Sequence, residues 1–335
     1  MSNFETLLGI LTNISFYYAI FRVTAPILFA TIGCSIAEKS NSTNMGMEGI
    51  MLISAWTAVM VSAKIGIPLF GELWGPFVGL FAAVVAGTVM GLLVAFFALK
   101  MKVDIILVGI ATNLIGAGAT TFFMYVITGD RSTTTSLQSG TLPQLSIPFI
   151  RDIPVIGQIV SGQNILTYFS WVVVFVIAFL LYKTKLGLRI RAVGENPDAA
   201  SSVGISVNKT KTIALAISGC IGGFGGAFMS LVYLSYFSSG ITAGRGFIAL
   251  AACAMGDADP VSSALTALLF GIFYDLANYA SSTNIPSQIV AMIPYLTTII
   301  GLVVYSIRRT RLEKKRLRGE EMDEDVKELT AEAKK

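Results

Sequence analysis

The sequence has no histidine and only three cysteines, and charged residues make up 13% of its 335 positions. Without histidine, the Ser-His-Asp and Cys-His arrangements that activate a nucleophile are excluded. The cysteines, Cys34, Cys220 and Cys253, are odd in number and lie apart in apolar stretches, which argues against a disulfide framework and a zinc site. So few charges also leave too little polar surface for an ordinary soluble enzyme, and they argue against nucleic-acid binding.

Apolar residues dominate instead. Hydrophobic residues make up 54% of the chain, and its mean hydropathy is +0.73. A helix of about 20 apolar residues crosses a bilayer core about 30 Å thick. The clearest runs of that kind are Trp74–Leu99, Ile105–Thr128, Ile165–Tyr182, Thr212–Phe237, Val261–Ala280 and Gln288–Ser306. Weaker candidates are Phe16–Ala37, which Arg22 and Pro26 interrupt, Met45–Ser62, which carries Glu48, and Phe247–Met255, which is too short to span alone.

These runs predict an all-α, polytopic integral membrane protein with eight to ten transmembrane helices, surrounded by lipid. Lys and Arg accumulate on cytoplasmic loops, so their clusters predict the orientation. The clusters lie at residues 100–102, 183–211 and 308–318. We therefore expect residues 1–307 to form one transmembrane domain, with a cytoplasmic loop at 183–211 and an external loop at 129–164. Residues 308–335, with 10 Lys or Arg and 8 Asp or Glu, are expected to be a charged cytoplasmic tail.

The cytoplasmic loop contains the signals of a short, capped helix. Asn196 suits the N-cap position, and Pro197 suits the first helical position, where its missing N–H removes no bond. Ala199, Ala200 and Val203 then form a small apolar face, and Gly204 can end the helix in a left-handed conformation. A helix of about two turns is unstable alone. We therefore expect it to dock, either on lipid headgroups or in a groove of a cytoplasmic partner.

Three segments resemble one family of membrane proteins. Residues 194–205 read Gly-Glu-Asn-Pro-Asp-Ala-Ala-Ser-Ser-Val-Gly-Ile, which resembles the coupling-loop motif of the permease subunits of ABC importers for branched-chain amino acids, simple sugars and nucleosides. Residues 44–49 resemble the Asn-x-Gly-x-Glu-Gly segment of the nucleoside and simple-sugar branch. Residues 244–251 resemble the family's Gly-x-Gly-Phe-x-x-Leu-Ala stretch. Two stretches, 41–43 and Asp257-Ala-Asp259, depart from the nucleoside pattern, and both bear on the substrate rather than on the family.

The resemblance implies a bacterial plasma-membrane permease that acts with several partners. Two permease subunits, identical or paralogous, form the pathway, two ABC ATPase subunits bind the coupling loops, and an extracytoplasmic binding protein delivers the solute. The chain has no Gly-x-x-x-x-Gly-Lys-Ser/Thr phosphate loop, so we expect no enzyme activity of its own and no bound cofactor or metal. The residues that the resemblance assigns to ATPase coupling are Gly194, Glu195, Asn196, Pro197, Ala199, Ala200, Gly204 and Ile205.

Four polar residues are candidates for the substrate pathway. A charge inside a membrane usually faces a cavity or a partner, so Glu48 is one of them, although with Asn44 it also suits the capping of a helix start. Asn113 could bind a hydroxylated substrate or make a hydrogen bond between helices. Asp275 could line the outer mouth of the pathway or lie at an exposed helix end. A glycine-rich stretch at 219–226, by contrast, is typical of close helix packing.

These observations predict the permease subunit of an ATP-driven importer, with nucleosides as the expected solute and a simple sugar such as ribose as the alternative. An ion-driven secondary transporter would show two similar halves and acids near the midplane of the bilayer. No internal repeat is evident, and that class leaves the coupling-like loop unexplained. An intramembrane enzyme would need a nucleophile with its base or a metal-ligand set, and neither is found. The exact solute stays open at the level of the sequence.

Overall fold

A computed structural model describes residues 14–137, 139–146 and 161–280, with single positions between 296 and 310. Over these residues the regular structure is helical, and the β-bridges Thr133–Ser238 and Gln144–Asn164 are isolated. The helices are α1 (Ile14–Glu38), α2 (Met47–Val61), α3 (Ile67–Ala95), α4 (Ile105–Thr128), α5 (Ile165–Lys183), α6 (Lys185–Glu195), α7 (Pro197–Ser202), α8 (Val207–Phe228), α9 (Arg245–Met255) and α10 (Pro260–Ala280). Single π-helical turns follow α2, α3 and α8, at Ser62–Gly66, Phe96–Lys100 and Met229–Tyr233.

Six helical segments in the described part of the chain are long and apolar enough to cross a membrane, which confirms the all-α membrane class. They are Ile14–Glu38, Met47–Lys100, Ile105–Thr128, Ile165–Lys183, Val207–Tyr233 and Pro260–Ala280. The predicted total of eight to ten stays a prediction. The predicted span Gln288–Ser306 and the tail 308–335 lie outside the described residues apart from those single positions.

The segment Met47–Lys100 contains two antiparallel helices rather than one rod. Its 54 residues would extend about 80 Å as a straight helix, far more than a bilayer core. Gly71 breaks the helix with φ 81° and ψ 174°, a conformation that only glycine adopts readily. Beyond the break, a Cβ at Gly79 would lie 2.4 Å from the Ala58 carbonyl oxygen, so α3 packs back against α2.

Helix α1 is the most buried of the six segments, and it confirms the candidate span Phe16–Ala37. The helix runs unbroken through Arg22 and Pro26, the two residues that interrupt the apolar run in the sequence. A proline in a helix removes one backbone hydrogen bond, and neighbouring helices make that loss tolerable in a membrane bundle. In the most apolar stretch of α1, 89% of the residues are buried inside the bundle.

Glycines bring α8 and α3 into direct backbone contact. A Cβ at Gly219 would lie 2.3 Å from the Gly87 carbonyl oxygen, and a Cβ at Gly91 would lie 2.4 Å from the Leu215 carbonyl oxygen. Gly222, Gly223 and Gly226 meet α2 and α3 at similar distances. The predicted packing role of these glycines is confirmed, and α8 is therefore a central helix of the bundle.

The outer faces of α3, α4 and α5 expose large apolar side chains, which suits contact with lipid. Phe81, Leu114 and Phe175 are each about 70% exposed. The lysines and arginines of residues 100–102 follow the end of α3, and those of residues 183–211 lie between the end of α5 and the start of α8. Both groups lie on one side of the bundle, which we call its basic end. By the positive-inside rule we expect the basic end to face the cytoplasm, and this orientation stays a prediction.

Candidate functional site

Two short helices, α6 and α7, connect α5 to α8 at the basic end. Thr184 caps α6, because its hydroxyl accepts a hydrogen bond from the backbone N–H of Gly187 at 3.1 Å. Ile190 and Val193 on α6 are fully buried, so this helix packs on the bundle through one face.

Helix α7 has the caps that the sequence predicts. The Asn196 side-chain oxygen accepts a hydrogen bond from the backbone N–H of Ala199 at 3.0 Å, and Pro197 occupies the first helical position. Gly204 follows the helix with φ 83°, in the left-handed region that favours glycine. The predicted short helix is confirmed, although it covers only Pro197–Ser202.

The apolar residues of α7 do not share one buried face. Ala200 is 4% exposed and packs inward, whereas Val203 is 75% exposed and Ala199 is also exposed. The grouping of these three residues on a single face was wrong, because the helix ends at Ser202 and Val203 turns away from it. The outward surface from Glu195 to Gly204 is therefore available to another molecule, while Ala200 anchors it to the bundle.

The loop is held against the segment that follows α1. A Cβ at Gly194 would lie 2.1 Å from the Lys39 carbonyl oxygen, so only glycine fits there without a shift of the backbone. The Lys211 ammonium donates a hydrogen bond to the Asn41 carbonyl at 3.1 Å. These contacts fix both sides of the α6–α7 loop to residues between α1 and α2.

A second set of contacts, not predicted from the sequence, joins the loop to the turn between α9 and α10. The Arg191 guanidinium lies 5.2 Å from the centre of the Tyr182 ring, and its Nε donates to the Leu181 carbonyl at 3.1 Å. The Tyr182 hydroxyl donates to Asp259 Oδ1 at 2.5 Å. The departure of Asp257-Ala-Asp259 from the family pattern was the only signal in the sequence that marked this turn.

The electrostatics of Asp259 favour its ionised form. Partial burial opposes ionisation, but hydrogen bonds from Tyr182 and Ser262 and the charge of Lys39 outweigh it, so the pKa of Asp259 lies below its ordinary value. The Ser262 backbone N–H donates to Asp259 Oδ2 at 3.0 Å, which caps the start of α10. Asp259 therefore binds a helix start and a side chain from another helix at the same time.

The turn itself has unusual backbone conformations. Asp257 has φ 54° and Ala258 has φ 53°, and alanine rarely occupies that region. The Lys39 ammonium donates to the Asp257 carbonyl at 2.9 Å. A cavity of about 570 Å³ separates the turn from α6, and it is lined by Glu38, Lys39, Tyr182, Arg191, Gly194, Glu195, Ala254, Asp257 and Ala258.

Glu48 is 9% exposed and caps a helix, although not the one that its position in the sequence indicates. One carboxylate oxygen accepts from the Thr242 hydroxyl at 2.5 Å and the Gly244 N–H at 2.9 Å. The other accepts from the Gly246 N–H at 2.7 Å. The carboxylate thus lies at the N-terminus of the short helix α9, where the helix dipole stabilises a negative charge.

Asn44 and Asn113 make hydrogen bonds within the bundle. The Asn113 side chain accepts from the Gly49 N–H at 2.8 Å and donates to the Met45 carbonyl at 2.9 Å. The Asn44 amide donates to the Ser218 hydroxyl at 2.9 Å. Asn113 thus joins α4 to the start of α2, which is the helix-to-helix alternative that the sequence left open for it, and Asn44 joins the segment before α2 to α8.

Asp275 is 2% exposed, which rules out an exposed helix end, one of the two alternatives that the sequence left open. Its Oδ2 atom is buried and has no hydrogen-bond partner in the described part of the chain, although the Asn278 side chain makes a hydrogen bond to the same carboxyl group. Asp275 lies on the face of α10 that packs against α1, and the positive charge of Arg22 acts on it across that contact. A buried carboxylate oxygen without a partner in a membrane bundle is a strong candidate for a functional group.

Two arginines near this site contact the same aromatic ring. The guanidinium groups of Arg22 and Arg245 lie 5.3 and 5.6 Å from the centre of the Tyr233 ring, and Arg245 lies 4.3 Å from the Tyr274 ring. Arg22 also lines a polar cavity of about 650 Å³ at the end of the bundle opposite the basic end. The cavity is lined by Tyr18, Arg22, Glu72, Leu73, Thr141, Leu142, Pro143, Gln144, Gln163, Asn164 and Val232.

Comparison with known proteins gives one family and several named relatives. Residues 16–303 match the family described as branched-chain amino acid transport system / permease component. The chain is 34% identical to the guanosine ABC transporter permease protein NupQ of Bacillus subtilis over 293 residues, 83% of this chain and 88% of the relative. It is 33% identical to the nucleoside ABC transporter permease protein NupC of Lactococcus lactis, over 91% of this chain and 94% of the relative.

A third relative has a different stated solute. The chain is 30% identical to the putative glucose ABC transporter permease protein TsgC13 of Haloferax volcanii, over 85% of this chain and 89% of the relative. No solved structure matches the chain.

Proposed function

The chain belongs to the branched-chain amino acid transport system / permease component family, and from that premise we propose that it is the permease subunit of an ATP-driven nucleoside importer. The choice of nucleosides as the solute is supported by the similarity to relatives named for guanosine and nucleosides, over 83% and 91% of the chain. As a family member the chain is a transport component, and ATP hydrolysis is assigned to a partner subunit.

The α6–α7 loop is proposed to bind that ATPase subunit. The residues proposed for coupling are Gly194, Glu195, Asn196, Pro197, Ala199, Ala200, Gly204 and Ile205, of which Gly194 and Ala200 hold the loop against the bundle. This proposal is supported by the burial of the loop's side chains: Ala200 is buried against the bundle, whereas Ala199 and Val203, which follows α7, are exposed. The caps at Asn196 and Gly204 hold six residues in a helical form before any partner binds, which reduces the entropy lost on docking.

A second permease subunit and an extracytoplasmic binding protein are proposed to complete the transporter. Bacillus subtilis has two guanosine permeases similar to this chain, NupP at 26% and NupQ at 34% identity. Lactococcus lactis has NupB and NupC, both named as nucleoside permeases. These pairs favour a paralogous partner permease over an identical one. We place the binding protein at the end opposite the basic end, where the cavity lined by Arg22 lies.

The solute pathway is proposed to pass Asp275, with Glu48 shaping the bundle beside it. Asp275 is supported by its buried Oδ2 atom, which has no partner among the described residues, and by the proximity of Arg22 to both Asp275 and the outer cavity. Asn44 and Asn113 are better assigned to packing, because their side chains are engaged by neighbouring helices. Glu48 is engaged in the same way by the start of α9.

A simple-sugar importer is the second candidate, and the glucose-permease relative at 30% identity favours it. Uptake into proteoliposomes that contain this chain, its paralogue, the ATPase subunits and the binding protein separates the two. Radiolabelled guanosine, cytidine, ribose and glucose are compared with and without internal ATP. ATP-dependent uptake of nucleosides supports the proposal, whereas uptake of sugars alone overturns the substrate and leaves the transporter class standing.

The coupling loop is tested in the same vesicles. Ala199→Asp places a charge on the exposed face of α7 and leaves the buried Ala200 in place. Uptake and stimulated ATP hydrolysis should both fall while the chain still inserts and unfolds at the wild-type temperature. Ser206→Asp, an exposed position outside α7, is the matched control and should transport normally. Wild-type ATPase binding by the Ala199→Asp variant would contradict the assignment.

A further inference from the structure

We propose that the hydrogen bond between Tyr182 and Asp259 transmits movement of the α6–α7 loop to the half-helix α9. Tyr182 and Asp259 are then positioning residues for coupled transport, and neither touches the solute or ATP. This inference rests on the proposed coupling role of the loop, and it names the route by which the loop reaches the membrane helices.

The first link joins α6 to the end of α5. Arg191 on α6 lies with its guanidinium 5.2 Å from the centre of the Tyr182 ring, and its Nε donates to the carbonyl of Leu181, the preceding residue. Two different contacts thus connect one side chain of α6 to the last turn of α5. A displacement of α6 carries Tyr182 with it, because both contacts would have to break for the two helices to move apart.

The second link joins Tyr182 to the turn between α9 and α10. Its hydroxyl lies 2.5 Å from Asp259 Oδ1, the short distance that is typical of a hydrogen bond to an ionised carboxylate. The other oxygen of Asp259 caps α10 through Ser262. A pull on Asp259 therefore acts on the first turn of α10 and on the end of α9 together.

The turn between α9 and α10 is held by side chains from two other parts of the bundle. Lys39 holds the Asp257 carbonyl from the side of α1, and Tyr182 holds Asp259 from the side of α5. Between them Asp257 and Ala258 have positive φ angles, a conformation that persists only where surrounding contacts enforce it. Backbone hydrogen bonds from Asp257, Ala258 and Asp259 to residues 253–256 also hold the turn, so a loss of the contact from Tyr182 removes one restraint among several on this conformation.

The N-terminus of α9 is the fixed end, about which the helix would rotate. Glu48 holds the N-terminus of α9 through Thr242, Gly244 and Gly246, whereas the C-terminal end is linked to the loop. Helix α9 has 11 residues and is about 16 Å long, and between these two ends it also packs against α1 and α10. The cavity of about 570 Å³ between α6 and the turn gives the C-terminal end room to move.

The test is Tyr182→Phe in the complete reconstituted transporter, with nucleoside uptake and ATP hydrolysis measured in the same vesicles. The variant keeps the ring that Arg191 covers and removes only the hydroxyl. We expect uptake to fall about tenfold, the scale of one hydrogen bond to a charged group, while ATP hydrolysis measured during transport and subunit assembly stay at the wild-type level. The number of ATP molecules hydrolysed per solute therefore rises about tenfold.

Tyr168→Phe is the matched control. Tyr168 lies on the same helix, near the end of α5 opposite Tyr182, and its hydroxyl donates to the Leu145 carbonyl. Its ratio of ATP to solute should equal that of the wild type. A merely structural role for Tyr182 would lower uptake and ATP hydrolysis in parallel and leave the ratio unchanged, which would overturn the inference. The second variant, Asp259→Asn, should raise the ratio, and it serves the test if Tyr182→Phe fails to assemble.

The double variant Tyr182→Phe/Asp259→Asn decides whether the two residues act as one link. A raised ratio no larger than that of either single variant supports the link, and independent, multiplied losses overturn it. Failure of the proposed function looks different, since wild-type vesicles would then show no ATP-dependent nucleoside uptake. If the wild type takes up only sugars, the same ratio is measured with the sugar, and the inference is still tested.

Discussion

The Gly246 backbone N–H donates a hydrogen bond to Glu48 at 2.7 Å, across 198 positions of the sequence. Glu48 lies in the first turn of α2 and Gly246 in the first turn of α9, so the starts of two helices meet at one carboxylate. A half-helix inside a bundle leaves backbone N–H groups without partners, and water is scarce there. Glu48 satisfies two of these groups, and the helix dipole stabilises its charge.

Glu48→Gln should therefore destabilise the bundle. The glutamine has the same shape, but its NH₂ group would face a backbone N–H donor where the carboxylate now accepts. We expect the free energy of unfolding to fall by about 2 kcal/mol, measured by thermal unfolding in detergent. Glu38→Gln is the control, because Glu38 accepts a bond from Thr43 at an exposed site. Equal effects of the two variants would show that the cap contributes little.

Gly219→Ala should be destabilising through steric overlap. The added methyl would lie 2.3 Å from the Gly87 carbonyl oxygen, so α8 and α3 would have to separate. Overpacking of this kind costs about 1–3 kcal/mol. Gly118→Ala on α4 is the matched control, because no atom lies within 4 Å of its Cβ position, and it should be neutral or slightly stabilising. Comparable melting temperatures for both variants would contradict the proposed close packing.

Features that depend on neighbours in the sequence were predictable. Asn196, Pro197 and Gly204 each act on backbone groups within three or four residues, so the caps of α7 could be read directly from the chain. The glycines of α8 recur at a spacing that places them on one helix face, and their packing role followed. The short helix α9 was also expected, since its apolar run is too brief to span a bilayer.

Features that depend on distant partners were not predictable. Tyr182 and Asp259 are 77 positions apart, and nothing near either residue indicates the other. Glu48 was correctly considered as a cap, but its partners lie 194 or more positions away on α9. The burial of Asp275 likewise depends on α1, which closes over that face of α10. Tertiary packing alone determines these three relationships.

Asn196→Ala should weaken binding of the ATPase subunit. The change removes the oxygen that accepts from Ala199, and loss of an N-cap costs about 1 kcal/mol of helix stability. Because α7 is so short, that cost appears as about a fivefold rise in the Kd of the ATPase subunit for the purified permease. Asn208→Ala, an exposed asparagine on α8, is the control and should leave Kd unchanged. An unaltered Kd for Asn196→Ala would place the docking surface elsewhere.

The stabilising effect of Asp259 should persist through the physiological pH range. Its pKa in the folded protein is lowered from the ordinary value of 3.8, chiefly because hydrogen bonds and Lys39 outweigh burial. A lowered pKa gives stability that is complete above the unfolded value and is lost as the pH falls through the folded value. The difference in melting temperature between wild type and Asp259→Asn should be constant from pH 8 to about pH 5. It should shrink only below the ordinary value, and a change near neutral pH would contradict this assignment.

Asp275→Asn should separate transport from stability. The asparagine is neutral, so the bundle no longer buries a carboxylate whose Oδ2 atom has no partner among the described residues, and the melting temperature should stay the same or rise. Nucleoside uptake should nevertheless fall about tenfold, because a hydroxylated solute would lose a charged acceptor. Asp130→Asn in the exposed loop that follows α4 is the control for a change of charge and should affect neither quantity. Falling stability with normal uptake would instead assign Asp275 to the architecture of α10. If Asp275 only supported the fold, its neutralisation could not give a protein that is at least as stable as the wild type but transports less.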